Sequence, residues 1–284
     1  MPNLKEVRVR ITSVNSTKQI TSAMKMVSAA KLRKAQDAVT QMRPYAEKLQ
    51  EILKGVSAGL DTSENVYGRN DKDENVLIIT ISSNRGLCGA FNTNVIKQAQ
   101  SLAKGAYAGK AVSVMAVGKK SADILGKDFP LVSNESAIYE DLTFANVSEI
   151  ADRLMEDFAT EKFDKIVLIY NKFKNAATQI VTTEQFLPIV PVVGAAAESD
   201  YIFEPGKAEI VSELVPKALK TQLFKGIRDS FASEHGARMT AMHKATDNAT
   251  DLRDQLKLTY NKARQAAITN EILEIVGGAE ALND

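Results

Sequence analysis

Between Leu4 and Val56, apolar residues recur at alternating spacings of three and four. The positions are Leu4, Val7, Ile11, Val14, Lys18, Thr21, Lys25, Ser28, Leu32, Ala35, Val39, Met42, Ala46, Leu49, Leu53 and Val56, and twelve of the sixteen are apolar. No glycine interrupts the run before Gly55, and Pro44 is its only proline. Such a period, held this long, predicts a coiled-coil seam rather than a short globular helix. At about 1.5 Å per residue the helix extends ~80 Å. Pro44 removes one backbone donor and predicts a kink. The four polar members, Lys18 to Ser28, are consecutive. Ile20, Met24, Met26 and Val27 lie near them but cannot share one narrow stripe. A broken seam is therefore expected there, either a heptad stutter or a turn apolar on several sides and enclosed by a sleeve.

The other end of the chain has the same character. Met242, Ala245, Ala249, Leu252, Leu256, Thr259, Ala263 and Ala266 follow the 3-4 spacing, and alanine at half of them permits close helix contact. From Ser212 to Val276 the breakers are Pro216, Gly226 and Gly236. If continuous, that helix is ~100 Å long. Between the two ends the period changes. Val76–Ile81, Ala111–Val117 and Lys165–Tyr170 read as buried strands, separated by helical patterns over 93–104, 119–125 and 147–161. This alternation predicts a parallel, Rossmann-like sheet. A further strand near Thr178–Phe186 follows so closely that it is expected to be an antiparallel edge. The fold class is thus an α/β domain inserted between two long helices that close into an antiparallel coiled coil. The expected boundaries are 1–60, 75–206 and 207–284.

Composition narrows the function. Aromatics make up 6% with no Trp, which favours helices built on aliphatics and Ala. The single cysteine, Cys88, excludes an internal disulfide. No stretch approaches the ~20 apolar residues that span a bilayer. The start lacks an apolar signal core, so a soluble protein attached to membranes only through partners is expected. The total charge is +1, yet residues 1–43 carry nine basic side chains against Glu6 and Asp37. That stretch seeks an anionic partner: nucleic acid, lipid or an acidic protein surface.

The candidates for chemistry are weak. Ser82–Phe91 lies between a strand and a helix, where α/β sheets bind phosphates. Gly86 and Gly89 complete neither G-x-G-x-x-G nor a P-loop, so a tight turn is the expected role. Cys88 reads as a buried structural thiol. His235 and His243 are eight apart, not the i, i+4 pair of a helical zinc site, and read as surface or partner-facing residues. Glu271 and Glu274 read as solvated or partner-binding carboxylates. No metal, no cofactor and no active site is expected.

Several runs carry a resemblance. They are Ile20–Val27 with Lys31–Lys34, Asn84–Gly89, Tyr201–Pro205, Ser233–Met242, Ala245–Ala249 and Tyr260–Glu271. The end, from Ile268 through Glu271 and Glu274 to Gly278-Ala279, fits I-T-x-E-x-x-E-x-x-x-G-A. In these runs the chain resembles the γ subunit family of bacterial F-type ATP synthases. The resemblance implies a non-catalytic rotor shaft inside a hexamer of α and β subunits, whose catalytic sites lie on β. It implies further partners in the ε subunit and the membrane c-ring, and a peripheral place on the cytoplasmic face of the bacterial inner membrane. Arg264 and Gln265 match positions that contact a catch loop on β, with Thr269 and Glu271 in the same region. Met24 and Lys25 match positions facing an acidic lever of β, although many members carry Glu in place of Lys25. Tyr201 and Glu204 match positions at the c-ring and ε. The cysteine pair of the chloroplast redox switch is absent.

Two rivals follow from the residues alone. The basic N-terminal helix suggests a coiled-coil nucleic-acid-binding protein, against which stand the sparse aromatics and the near-neutral total. The middle domain suggests a dinucleotide-dependent enzyme, against which stands the incomplete glycine motif.

Overall fold

A computed structural model describes residues 4–57, 66–69, 72–189 and 207–280. Two helices frame it: α1 (Leu4–Ser57), 54 residues long, and α5 (Lys207–Glu280), 74 residues long. Both absorb their proline, Pro44 in α1 and Pro216 in α5. Between them come β1 (Asn75–Ile81), α2 (Phe91–Lys104), β2 (Ala111–Val117), α3 (Lys119–Leu125), β3 (Leu131–Asn134), α4 (Phe144–Ala159), β4 (Lys165–Phe173) and β5 (Gln179–Leu187). The chain divides into two compact units. One is residues 1–27 with 239–284, and the other is residues 28–238.

The larger unit holds a five-stranded sheet in the order β3-β2-β1-β4-β5. The first four strands run parallel, and β5 pairs antiparallel with β4 along the edge. The expected parallel core and antiparallel edge are both present. Strand β3 is an addition that the periodicity does not predict. It has four residues, follows Pro130, and leaves Leu131 and Val132 exposed, so it carries no buried apolar run.

The strands are buried on both faces, and period two sorts their side chains. Leu77, Ile79 and Ile81 join Ile166, Leu168 and Tyr170 beneath α4 and α5, which contribute Val147, Ile150, Leu154 and Phe158, and Val215, Leu219, Leu223 and Ile227. Val76, Ile78, Val167 and Ile169 face the opposite way, onto Val95, Ile96 and Ala99 of α2 and Leu125 of α3. The first part of α5 is therefore a layer of the α/β domain. A Cβ at Gly226 would stand 3.5 Å from Ile81 Cδ1 and 3.6 Å from the Tyr170 ring, ordinary van der Waals contact, so this approach does not require glycine.

Within this unit α1 runs antiparallel to α5. Arg43 lies beside Asp229, and the charge of Lys31 acts on Glu234 and His235. Ser28, Leu32, Ala35, Val39, Ala46 and Leu49 are buried along the expected stripe.

In the smaller unit the seam does not break. Val7 and Thr21 are buried, and Ile11, Val14, Lys18 and Lys25 are half-buried, all on the original 3-4 register. Ile20, Met26 and Val27 point outward instead. Thr21 stays in the seam because its hydroxyl is satisfied there. Thr246 Oγ1 donates to Thr21 Oγ1 at 2.9 Å, and Thr21 Oγ1 donates to the Lys18 carbonyl at 3.1 Å. No stutter is needed to explain the apolar residues on other faces. On α5 the stripe begins at Met242 and Ala249 as expected, then moves by one residue at two positions. Arg253 and Tyr260 are half-buried where Leu252 and Thr259 were expected. Arg253 keeps its charge partnered through Asp254 Oδ1 at 2.9 Å. From Ala267 to Ala279 every residue is exposed.

This division of α5 predicts opposite responses to truncation of its leucines. Leu223 is fully buried and Leu258 is 64% exposed. Leu223→Ala should lower the unfolding free energy by about 3 kcal/mol, whereas Leu258→Ala should change it by less than about 0.5 kcal/mol. Urea denaturation of the full chain checks both.

Candidate functional site

In an open parallel sheet the place to look for a ligand is the crevice beyond the carboxyl ends of the strands, where the strand order reverses. Here that point lies between β1 and β4. The chain fills it with its own helix. Ser233 Oγ of α5 donates to the Asn171 carbonyl on β4 at 2.9 Å, and Ser230 Oγ reaches the Ile81 carbonyl at the end of β1 at 3.5 Å. Asn171 Nδ2 donates in turn to the Phe91 carbonyl at the start of α2. Arg238 Nη2 donates to the carbonyls of Arg85 and Gly86 at 3.0 and 3.3 Å. Its Nη1 lies 2.6 Å from Glu234 Oε1, one helical turn back. Ser230, Ser233, Glu234 and Arg238 are all buried.

The loop after β1 is braced from below as well. Ser83 Oγ donates to the Arg85 carbonyl at 2.6 Å, and Asn92 Oδ1 accepts from Ser83 N at 2.9 Å. Asn92 Nδ2 points at Cys88 Sγ, 3.2 Å away. Burial pushes the Cys88 thiol up, which suits a structural sulfur and not a nucleophile. Gly89, at φ +61°, makes the expected tight turn. Leu87 shares that left-handed geometry at φ +65° and is exposed. A phosphate would need free N–H groups in this loop and room beside them. The loop instead turns carbonyls toward a buried cation.

Charge in the crevice is held against the cost of burial. Burial outweighs the attraction of Arg238 and leaves Glu234 above the usual carboxylate range. The same cause raises Asp229, whose Oδ1 stands 3.5 Å from Arg43 Nη2, an ion pair too long to be a good hydrogen bond. The structure corrects the expectation of a surface or partner-facing His235. It is buried, edge-on to Phe231 with ring centroids 4.5 Å apart, and neither ring nitrogen has a hydrogen-bond partner among the described residues. A polar residue eight positions from an exposed His243 gives no signal of this in sequence. Only the packing of α5 on its neighbours reveals it.

The residues matched to partner contacts fall at two levels of the smaller unit. Met24 and Lys25 are half-buried on α1, just beyond the Thr21–Thr246 contact. Arg264, Gln265, Thr269 and Glu271 are exposed on α5, starting eighteen residues past Thr246, about 27 Å along the helix. They are not one cluster. Thr269 Oγ1 donates to the Gln265 carbonyl at 2.9 Å, and the other three side chains face outward. His243 Nδ1 lies 3.2 Å from Asp247 Oδ2. Tyr201 and Glu204 lie outside the described residues. Among the described residues, no group of three or more His, Cys, Asp or Glu side chains is placed to hold a metal ion, and no helix is long and apolar enough to cross a membrane.

Burial lowers the pKa of His235 from 6.5 to about 4, helped by the charges of Arg238 and Lys31. The unfolded chain therefore binds the extra proton first. The stabilisation is complete above pH ~6.5 and is lost as pH falls toward ~4. Glu234 and Asp229, with raised values, act in the opposite sense. Comparison with His235→Leu isolates the histidine. Between pH ~7.5 and ~4.5 the wild type should lose on the order of 3 kcal/mol relative to the variant, read from urea midpoints at each pH.

The chain is similar to known proteins along its whole length. The family model described as ATP synthase matches residues 3–282. The ATP synthase gamma chain of Flavobacterium psychrophilum is 65% identical over 99% of both chains, and that of Flavobacterium johnsoniae 66% identical over 100% of both. Among solved structures, a chain of the Euglena gracilis mitochondrial ATP synthase, described as OSCP/F1/c-ring, superposes with a TM-score of 0.73 at 25% identity, covering 98% of this chain and 94% of that one. A chain of the rotor of the same organism's enzyme shares the fold, with a TM-score of 0.70 at 24% identity over 93% of this chain and 98% of that one. Matched across its whole length, the chain belongs to the ATP synthase gamma chain family, the non-catalytic subunits of that enzyme.

Proposed function

We propose that the chain is the central rotor shaft of a bacterial F-type ATP synthase and turns with a membrane c-ring inside a ring of α and β subunits. The observation that carries this reading is the bare end of α5. Thirteen consecutive residues, Ala267 to Ala279, are exposed although Ile268, Ile272, Leu273, Ile275 and Val276 are apolar. An isolated helix so exposed is marginal in water. Enclosure by a partner sleeve supplies the missing burial. A rotating tip also suits an apolar surface, which slides without fixed hydrogen bonds.

The charged contacts belong to the same account. Arg264, Gln265, Thr269 and Glu271 stand exposed, open to a catch loop of β. Met24 and Lys25, half-buried beside outward-facing Met26 and Val27, keep part of their surface for an acidic lever of β. The basic excess of residues 1–43 favours that encounter. Contacts made and broken on every turn are better served by exposed, weak pairs than by buried ones. Tyr201 and Glu204, with the ε subunit and the c-ring, complete the set of proposed contacts. Attachment is peripheral, on the cytoplasmic face of the inner membrane. Nucleic-acid binding is the poorer reading, because an exposed apolar tip has no role in it.

Affinity purification of the tagged chain from membranes should recover α, β, ε and c subunits together, and recovery without them would sink the proposal. Stepwise removal of residues from Asp284 back to Ile272 should lower ATP hydrolysis by the assembled enzyme gradually, by about twofold to threefold per helical turn. An abrupt loss at one residue would point to a specific bond and not a bearing.

A further inference from the structure

The apolar stripe Val215, Leu219, Leu223 and Ile227 fixes which face of α5 meets the sheet. Directional bonds pin its rotation further. Gln222 Nε2 donates to the Gln185 carbonyl at 3.1 Å, Arg228 Nη2 to the Leu142 carbonyl at 2.7 Å, and Ser233 Oγ to the Asn171 carbonyl at 2.9 Å. Arg238 is the last of this row and the strongest, since it is charged and reaches two successive carbonyls, Arg85 and Gly86. Glu234 holds the guanidinium in place from the same helix at 2.6 Å. The gripped loop is rigid in its own right through Ser83 and Asn92. Among the described residues, no catalytic or ligand-binding arrangement accounts for a buried ion pair here.

We propose that Arg238 is a positioning residue for torque transfer. Oriented by Glu234, it keys α5 to the loop after β1, so that helix and α/β domain turn as one body under load. This rests on the rotor reading given above. When the α/β domain is driven, a torsional load on α5 meets first the bonds at the point where the helix leaves that domain's crevice. Loss of the key leaves apolar packing alone to resist twisting of α5, and part of each step is spent as internal rotation instead of work on the catalytic subunits.

The test uses the assembled enzyme in proton-tight vesicles, with Arg238→Met, Arg238→Lys, Glu234→Gln and the double variant Glu234→Gln/Arg238→Met. Subunit content and thermal stability report a merely structural role. The number of protons pumped per ATP hydrolysed reports positioning. Arg238→Met should assemble and hydrolyse ATP, and its pumping ratio should fall by about threefold or more. Arg238→Lys keeps the pair with Glu234 but bonds one carbonyl at a time, and should fall in between. The double variant should lose no more than Arg238→Met, because the two side chains act as one unit. If Arg238→Met does not assemble, Arg238→Lys decides: a lowered ratio supports the key and a wild-type ratio overturns it. A wild-type ratio in assembled Arg238→Met also overturns it, whatever happens to stability. Failure of the rotor reading looks different: a fluorescent probe on the α/β domain of the wild-type enzyme would not rotate during ATP hydrolysis.

Discussion

One helix does two incompatible things, and the rest of the molecule follows from how they are reconciled. From Val215 to Arg238, α5 is a core element, packed in one cluster with Leu77, Ile79, Leu168 and Tyr170 and bonded into the crevice of the sheet. From Ala267 to Ala279 no described residue buries it. The first part buries its apolar side chains against the sheet. The last part is left for something else to cover. Sequence reflects the difference: buried Ser, Glu, His and Arg partnered or packed in the first part, and isoleucines without an inside in the last.

The same arrangement explains why a Rossmann-like sheet here offers no ligand site at its usual place. The crevice of such a sheet is the best site for a buried polar group to find backbone partners. In this chain Ser230, Ser233 and Arg238 take those partners. The loop after β1 presents carbonyls to a guanidinium, the reverse of the N–H array that a phosphate requires.

The elements with strong periodicity are legible in the sequence. The strands from Val76 to Ile81 and Lys165 to Tyr170, the antiparallel edge and both long helices announce themselves through period and length. Strand β3 does not, because four residues with no buried apolar side chain carry no period. The seam at Lys18–Ser28 looks broken only if polarity is equated with exposure. Thr21 and Ser28 are buried, and Thr21 is bonded to Thr246 across the helix pair. His235 misleads in the same way. The crevice contacts are invisible in sequence, since they join residues far apart, as Arg238 does with Arg85, 153 positions away. Only family resemblance names the residues proposed to meet partners. Arg264, Gln265, Thr269 and Glu271 are exposed on α5, but no periodic pattern singles them out.

Over its first part α5 is built into the α/β domain, and over its last part the rotor proposal has a sleeve complete it. Amide hydrogen exchange, followed on the free chain and on the assembled enzyme, measures this directly. Slow exchange is expected at 215–238 in both, and fast exchange at 267–279 in the free chain that becomes slow on assembly. Equal protection of 267–279 in the two states would contradict it.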